Sequence, residues 1–284
     1  MRNSRLTYFI AMNSVVSLSL TACSVEPLVK FKNDPVGSEN SILGAQPAAR
    51  SAQEKTSATH VAILGDSQST GLYGQRLFEL IRYTSKQKIS YFGAASSARI
   101  GSWIHGGFYP IPINAYFGCD AKTETSSCTP STQTATKTES INSILSRHPY
   151  VSLYIITLGD NHFYDPASVK NELPRLIKPI LTSGANCVFV TPTEGLGQFS
   201  NKLTLIANLK SAIGSLKTEL GRTCTLIDSY TVGKDVLRNE SDLQMMRDSV
   251  SQDPMKLHPR GPGAKLWAER VFDALKQQEL LNPL

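Results

Sequence analysis

From His60 onward, apolar residues gather in five short runs separated by longer stretches with helical spacing. The runs are His60–Leu64, Ile89–Phe92, Val151–Leu158, Val188–Thr191 and Thr225–Ile227. Each has the length of a buried strand, and most are rich in β-branched or aromatic residues. Helical periodicity marks Leu72–Thr84, Glu139–Ser146, Val169–Leu181, Lys202–Leu220 and Pro262–Gln278. Alternation of this kind predicts an α/β fold, a parallel sheet with helices on both faces joined by right-handed crossovers. The expectation is a three-layer α/β/α sandwich with a five-stranded parallel sheet in the order 2-1-3-4-5.

One segment, about 99–137, breaks the rhythm. It holds Gly106-Gly107, Pro110-Ile111-Pro112, two cysteines and a Ser/Thr-rich run. It is too long for an ordinary connection. Because it follows the second strand, it is expected to overhang the sheet's carboxyl edge. Trp103, His105, Phe108, Tyr109, Tyr116 and Phe117 lie in it. They either shape a substrate site as a cap or pack a small core belonging to the insertion itself.

The first 59 residues follow neither pattern. Arg2 and Arg5 precede an apolar stretch, Leu6–Leu20, too short and too polar to span a bilayer. Leu20-Thr21-Ala22-Cys23 follows. The layout resembles a bacterial lipoprotein signal, which implies cleavage after residue 22 and lipid attachment at Cys23. Ser at position 24, rather than Asp, implies sorting to the outer membrane, with the protein facing the periplasm. Residues 23–59 are rich in Ser, Pro, Asn, Gly and Ala and read as a flexible tether of roughly 30–35 Å root-mean-square span. Residues 60–284 then form one domain.

Charge adds little. The formal net charge is +6, and the basic residues are scattered rather than clustered. Nothing in that distribution points to nucleic acid. Apart from Cys23, four cysteines remain, Cys119, Cys128, Cys187 and Cys224. Their spacing does not resemble a zinc site, and an exported chain lives where disulfides persist. Cys187 and Cys224 each begin an apolar run, so adjacent parallel strands would bring them side by side. The expected bridges are Cys119–Cys128 and Cys187–Cys224, the alternative being free buried thiols.

The candidate chemistry begins where the first strand ends, in Gly65-Asp66-Ser67. That tripeptide is also an ordinary turn. Its address is less ordinary, since ligands of open α/β sheets bind at the strands' carboxyl ends. A helix after it would aim its N-terminal amides toward Ser67. Asp66 is expected to bond loop amides rather than serve Ser67, because adjacent side chains diverge. A serine nucleophile needs a base, an orienter for that base and oxyanion donors. His258, in a loop before the last helix, is the candidate base. Gly93 and Asn161, near the ends of the second and third strands, are candidate donors.

In this order the four blocks resemble the SGNH hydrolases, the GDSL-type esterase superfamily, whose fold is a flavodoxin-like sandwich. The resemblance implies that Ser67 attacks an ester carbonyl and His258 is the general base. It also implies that the Ser67 and Gly93 amides and Asn161 form the oxyanion hole, with no metal or cofactor. Two positions depart from the family pattern. His162 stands where the third block has Asp, and could touch substrate or replace a structural contact. Met255 stands where the last block has Asp, three residues before the histidine. Asp253 is the candidate third member, Asp248 a poorer one, and a backbone carbonyl the alternative. The expected activity is that of a cell-envelope serine esterase, monomeric and membrane-bound only through its lipid. Removal of O-acetyl groups from peptidoglycan or another carbohydrate is the leading reading. A lipase or lysophospholipase, an acyltransferase, and an envelope-binding lipoprotein that keeps the fold without activity are the rivals.

Overall fold

The computed structural model describes residues 60–110, 116–133, 136–196 and 202–281. The signal segment, Cys23 and the tether expected from the sequence therefore lie outside the described residues. Five strands run parallel: β1 (His60–Gly65), β2 (Lys88–Ala95), β5 (Leu153–Thr157), β6 (Asn186–Val190) and β7 (Thr225–Ile227). Their spatial order is β2-β1-β5-β6-β7, the expected 2-1-3-4-5.

Among the described residues the sheet nevertheless has seven strands, not five, and is mixed rather than wholly parallel. The insertion contributes β3 (Tyr116–Asp120) and β4 (Ser131–Gln133), both antiparallel to their neighbours. β3 pairs Tyr116 with Ala95 and Asp120 with Tyr91, so it runs back along β2 toward the sheet's amino edge. Instead of overhanging the carboxyl edge, these residues extend the sheet beside β2. The physical reason is burial: Tyr116 and Phe117 place their rings on opposite faces of the sheet and join the cores there.

Alternation along each strand feeds two cores. Val61, Ile63, Leu153, Ile155, Val188 and Val190 face α2 (Leu72–Thr84), α7 (Glu240–Ser251) and α8 (Gly261–Gln277). Ala62, Leu64, Tyr154, Ile156 and Phe189 face α3 (Ile100–His105), α4 (Ile141–Arg147), α5 (Val169–Thr182) and α6 (Leu203–Leu220). The three-layer sandwich is thus observed. Helix α7 escaped the sequence reading because its polar face dominates its composition. Among the described residues no helix is long and apolar enough to cross a membrane.

Both expected disulfides are present, Cys119–Cys128 and Cys187–Cys224, with Cα–Cα separations of 5.6 and 4.4 Å. The second follows from register. Val188 pairs with Thr225, so the residues just before them are neighbours.

Candidate active site

Each residue of Gly65-Asp66-Ser67 has a distinct local job. A Cβ on Gly65 would sit 2.2 Å from the Ser69 side chain, so only glycine lets the chain turn this tightly off β1. Asp66 caps a one-turn helix, α1 (Ser67–Thr70), by accepting the Gln68 amide at 3.0 Å. Ser67 heads that turn, where its amide has no intrahelical acceptor. Asp66 is buried beside Asp160, and burial followed by that second carboxylate pushes its own pKa well above the usual range.

Ser67 Oγ lies 2.8 Å from His258 Nε2. Those residues are 191 positions apart, and the pair is part-buried at the carboxyl edge of the sheet. A cavity of about 220 Å³ opens over them, lined also by Thr70, Gly71, Leu72 and Ser96. Burial holds the His258 pKa below its ordinary value, with the Asp160 and Asp253 carboxylates acting against that shift. His258 is therefore disposed to be neutral and able to accept the serine proton near pH 7.

Asp253 reaches the histidine loop, but not as a simple triad acid. Its Oδ2 is 3.6 Å from His258 Nδ1, beyond hydrogen-bond range. The same oxygen accepts the Leu257 and His258 backbone amides at 3.0 and 3.2 Å. Its Oδ1 accepts Arg260 Nε and Nη2 at 3.1 and 2.6 Å. Burial acts to raise its pKa, but these hydrogen bonds outweigh it and hold the carboxyl below the usual range. Asp253 thus shapes the loop and places negative charge near the imidazole. Asp248 is elsewhere, bonded to Gln244 on α7.

The oxyanion candidates fare unequally. Asn161 follows β5 in a 3-10 turn (Asp160–His162) and donates one amide hydrogen to the Ala98 carbonyl at 2.9 Å. Gly93 is not brought to the cavity. It sits inside β2, paired with Leu64 on one side and Gly118 on the other. A Cβ there would lie 2.7 Å from the Trp103 ring and 2.8 Å from that of Tyr91, so the glycine serves packing. The part of β2's exit that does reach the cavity is Ser96. The Ala98 amide closes a turn onto the Ala95 carbonyl at 3.0 Å. Ser97, third in that turn, takes φ 63°, a left-handed value usually left to glycine.

His162 is resolved as a structural residue. It is fully buried, and its Nε2 accepts the Ile100 amide at 3.1 Å. Its Nδ1 must then carry the proton that meets Ser168 Oγ at 3.0 Å. Burial, then the Arg99 charge, pushes its pKa down to about 4.

The insertion's aromatics do not line the cavity. Trp103 and Tyr116 are buried, while Phe108 is partly buried against the same core. Tyr109 is 52% exposed. What sequence reasoning missed is a buried polar network beneath Ser67. The Gln68 Nε2 donates to Asp160 Oδ2 and to the Leu257 carbonyl, and Asp160 Oδ1 pairs with Lys202 Nζ. Only the adjacency of Gln68 to Ser67 and of Asp160 to Asn161 hinted at it.

No family model matches the chain, and no curated protein does. Among solved structures it is similar to a protein of the G-D-S-L lipolytic family from Desulfitobacterium hafniense, at 10% identity and a TM-score of 0.45, covering 76% of this chain and 99% of that one. It is also similar to a GDSL-like lipase from Bacteroides thetaiotaomicron, at 7% identity and a TM-score of 0.45, covering 78% and 89%. A third is a peptidoglycan O-acetylesterase, at 11% identity and a TM-score of 0.43, covering 78% and 92%.

Proposed function

We propose that this protein is a serine ester hydrolase of the SGNH type that removes small acyl groups, O-acetyl groups on a glycan above all. The observation that carries the proposal is the 2.8 Å contact between Ser67 Oγ and His258 Nε2 at the floor of an open cavity. His258 takes the Ser67 proton as the serine attacks the ester carbonyl. The Ser67 amide and the second Asn161 amide hydrogen are the donors for the tetrahedral oxyanion. His258 then protonates the departing alcohol, and a water activated by the same imidazole releases the acid.

Cavity size favours a short acyl group. Pockets that enclose drug-sized ligands run to roughly 300–1,000 Å³, against about 220 Å³ here. The test is a series of chromogenic esters from acetate to laurate, with wild type and Ser67→Ala. The expected result is activity that falls with chain length and is abolished in Ser67→Ala, with fluorophosphonate labelling confined to Ser67. Equal rates for the two proteins, with no labelling, would sink the enzyme reading. Rates rising toward laurate would replace the deacetylase with a lipase.

We also propose that the domain is lipid-anchored in a bacterial envelope through Cys23. Support comes from the sequence alone: two arginines, an apolar segment and Leu20-Thr21-Ala22-Cys23 in that order. Cys23→Ser is expected to move the protein from the membrane fraction to the soluble one; unchanged partitioning would dispose of the anchor.

A further inference from the structure

The Ser67–His258 contact joins two loops far apart in the chain, and a base on a loop needs a fixed register against its nucleophile. A second bond, one residue away on each side, makes the same connection. Gln68 follows Ser67, Leu257 precedes His258, and Gln68 Nε2 donates to the Leu257 carbonyl at 3.2 Å. The same nitrogen donates to Asp160 Oδ2. Two acceptors fix which end of the carboxamide lies there, since only the nitrogen can donate.

Asp160 is itself held. Its other oxygen pairs with Lys202 Nζ, which also donates to the Thr193 carbonyl at 3.0 Å. Gln68, Asp160 and Lys202 are all buried, none more than 4% exposed. Apolar side chains of similar volume would fill this space without the desolvation cost of an ion pair, so stability alone is a poor reason for it. Asp253 does not supply the missing restraint. Its two oxygens already serve the Leu257, His258 and Arg260 donors, and Nδ1 of His258 stays 3.6 Å away.

We propose, resting on the esterase reading above, that Gln68 is a positioning residue for the Ser67–His258 pair, oriented by the buried Asp160–Lys202 ion pair. It acts through the Leu257 carbonyl, pinning the histidine loop to the turn that carries the nucleophile. The charges facing His258 are Asp160, Asp253, Arg260 and Lys202, two of each sign, so the arrangement positions the imidazole without imposing a large net field.

The experiment compares wild type, Ser67→Ala and Gln68→Met by chromogenic acetate hydrolysis and by the rate of fluorophosphonate labelling. Methionine nearly keeps the volume and lacks the N–H donors. Gln68→Met is expected to fold, and to lose about tenfold or more in both labelling rate and kcat, with KM changed less than about threefold. The acid limb of its kcat/KM profile is expected to rise toward about 6.5, because a loosened loop hydrates an imidazole that burial otherwise keeps neutral. A purely structural glutamine would lower thermal stability and move neither readout. Folded Gln68→Met with labelling and kcat within about twofold of wild type overturns the proposal and leaves the esterase reading standing. Wild type no faster than Ser67→Ala overturns the esterase reading, and this proposal with it. Should Gln68→Met not fold, the neutral double variant Asp160→Ala/Lys202→Met, which takes away the acceptor that orients the Gln68 carboxamide, carries the test, with the same loss expected and the same near-wild-type result overturning it.

Discussion

Asp253 is the residue whose role the geometry changes most. Position made it a candidate acid for His258, five residues before it in the chain. Proximity holds, but the carboxylate spends its oxygens on two loop amides and the Arg260 guanidinium, leaving His258 Nδ1 at 3.6 Å. An acid hydrogen-bonded to the imidazole fixes its tautomer, and changing such an acid to its amide costs ~10⁴ in turnover. Here Asp253→Asn is expected to lower kcat by less than about a hundredfold, while lowering thermal stability because the Arg260 pairing loses its charge. Steady-state kinetics beside a thermal melt would check this. A full triad-sized loss with an unchanged melting temperature would return Asp253 to the role of direct orienter.

At the scale of elements, much was legible because strand and helix periods differ. The parallel strands and the long helices α2, α5, α6 and α8 fell close to their expected bounds, since buried apolar runs advertise themselves. Strands β3 and β4 did not, because Tyr116–Asp120 passes from two aromatics to Gly and Asp and Ser131–Gln133 is wholly polar, so neither reads as a buried apolar run. Ser67 and His258 could be paired from sequence because strand ends and the last helix fix their addresses. The Gln68–Asp160–Lys202 network could not, since a buried lysine before a helix reads the same as a solvated one. The 3-10 turn after β5 shows the same limit. His162 in it ties Ile100, at the start of α3, to Ser168, just before α5. That function needs the neutral imidazole. With a folded pKa of about 4 against an ordinary 6.5, the unfolded chain binds a proton between those values that the native one excludes. Stability therefore falls as pH drops from about 6.5 to 4, by up to about 3 kcal/mol from this residue. Asp66 acts in the opposite sense. Its raised pKa keeps a proton in the native state above the ordinary carboxylate value, so its contribution fades as pH rises. Urea unfolding of wild type and His162→Gln at several pH values separates the two. The variant is expected to lose less stability on acidification, and parallel curves would remove His162 from the account.

At the largest scale the described domain is a sheet clamped between two helical layers, with a disulfide toward each margin. Cys119–Cys128 ties β3 to the loop before β4, and Cys187–Cys224 ties β6 to the start of edge strand β7. The two closures differ in what they enclose. The first spans a sequence separation of 9 and contains no residue of the site. The second spans 37 and contains Thr193 and Lys202, the partners that hold Asp160. Loop entropy alone makes the shorter bridge worth about 2.5 kcal/mol and the longer one about 4 kcal/mol. Replacing both cysteines by alanine should therefore lower the melting temperature more for the 187–224 pair, by several degrees for a domain of this size. The enclosed residues add a second consequence. Opening that loop frees the start of α6, and with it Lys202, before the sheet itself gives way. Ester hydrolysis by the Cys187→Ala/Cys224→Ala variant should then decline at temperatures below its own unfolding transition. The Cys119→Ala/Cys128→Ala variant should keep its rate until it unfolds. Activity and circular dichroism followed along the same temperature ramp distinguish the two. Coincident loss of rate and structure in both variants would mean that the longer bridge supports the fold alone and has no separate hold on the site.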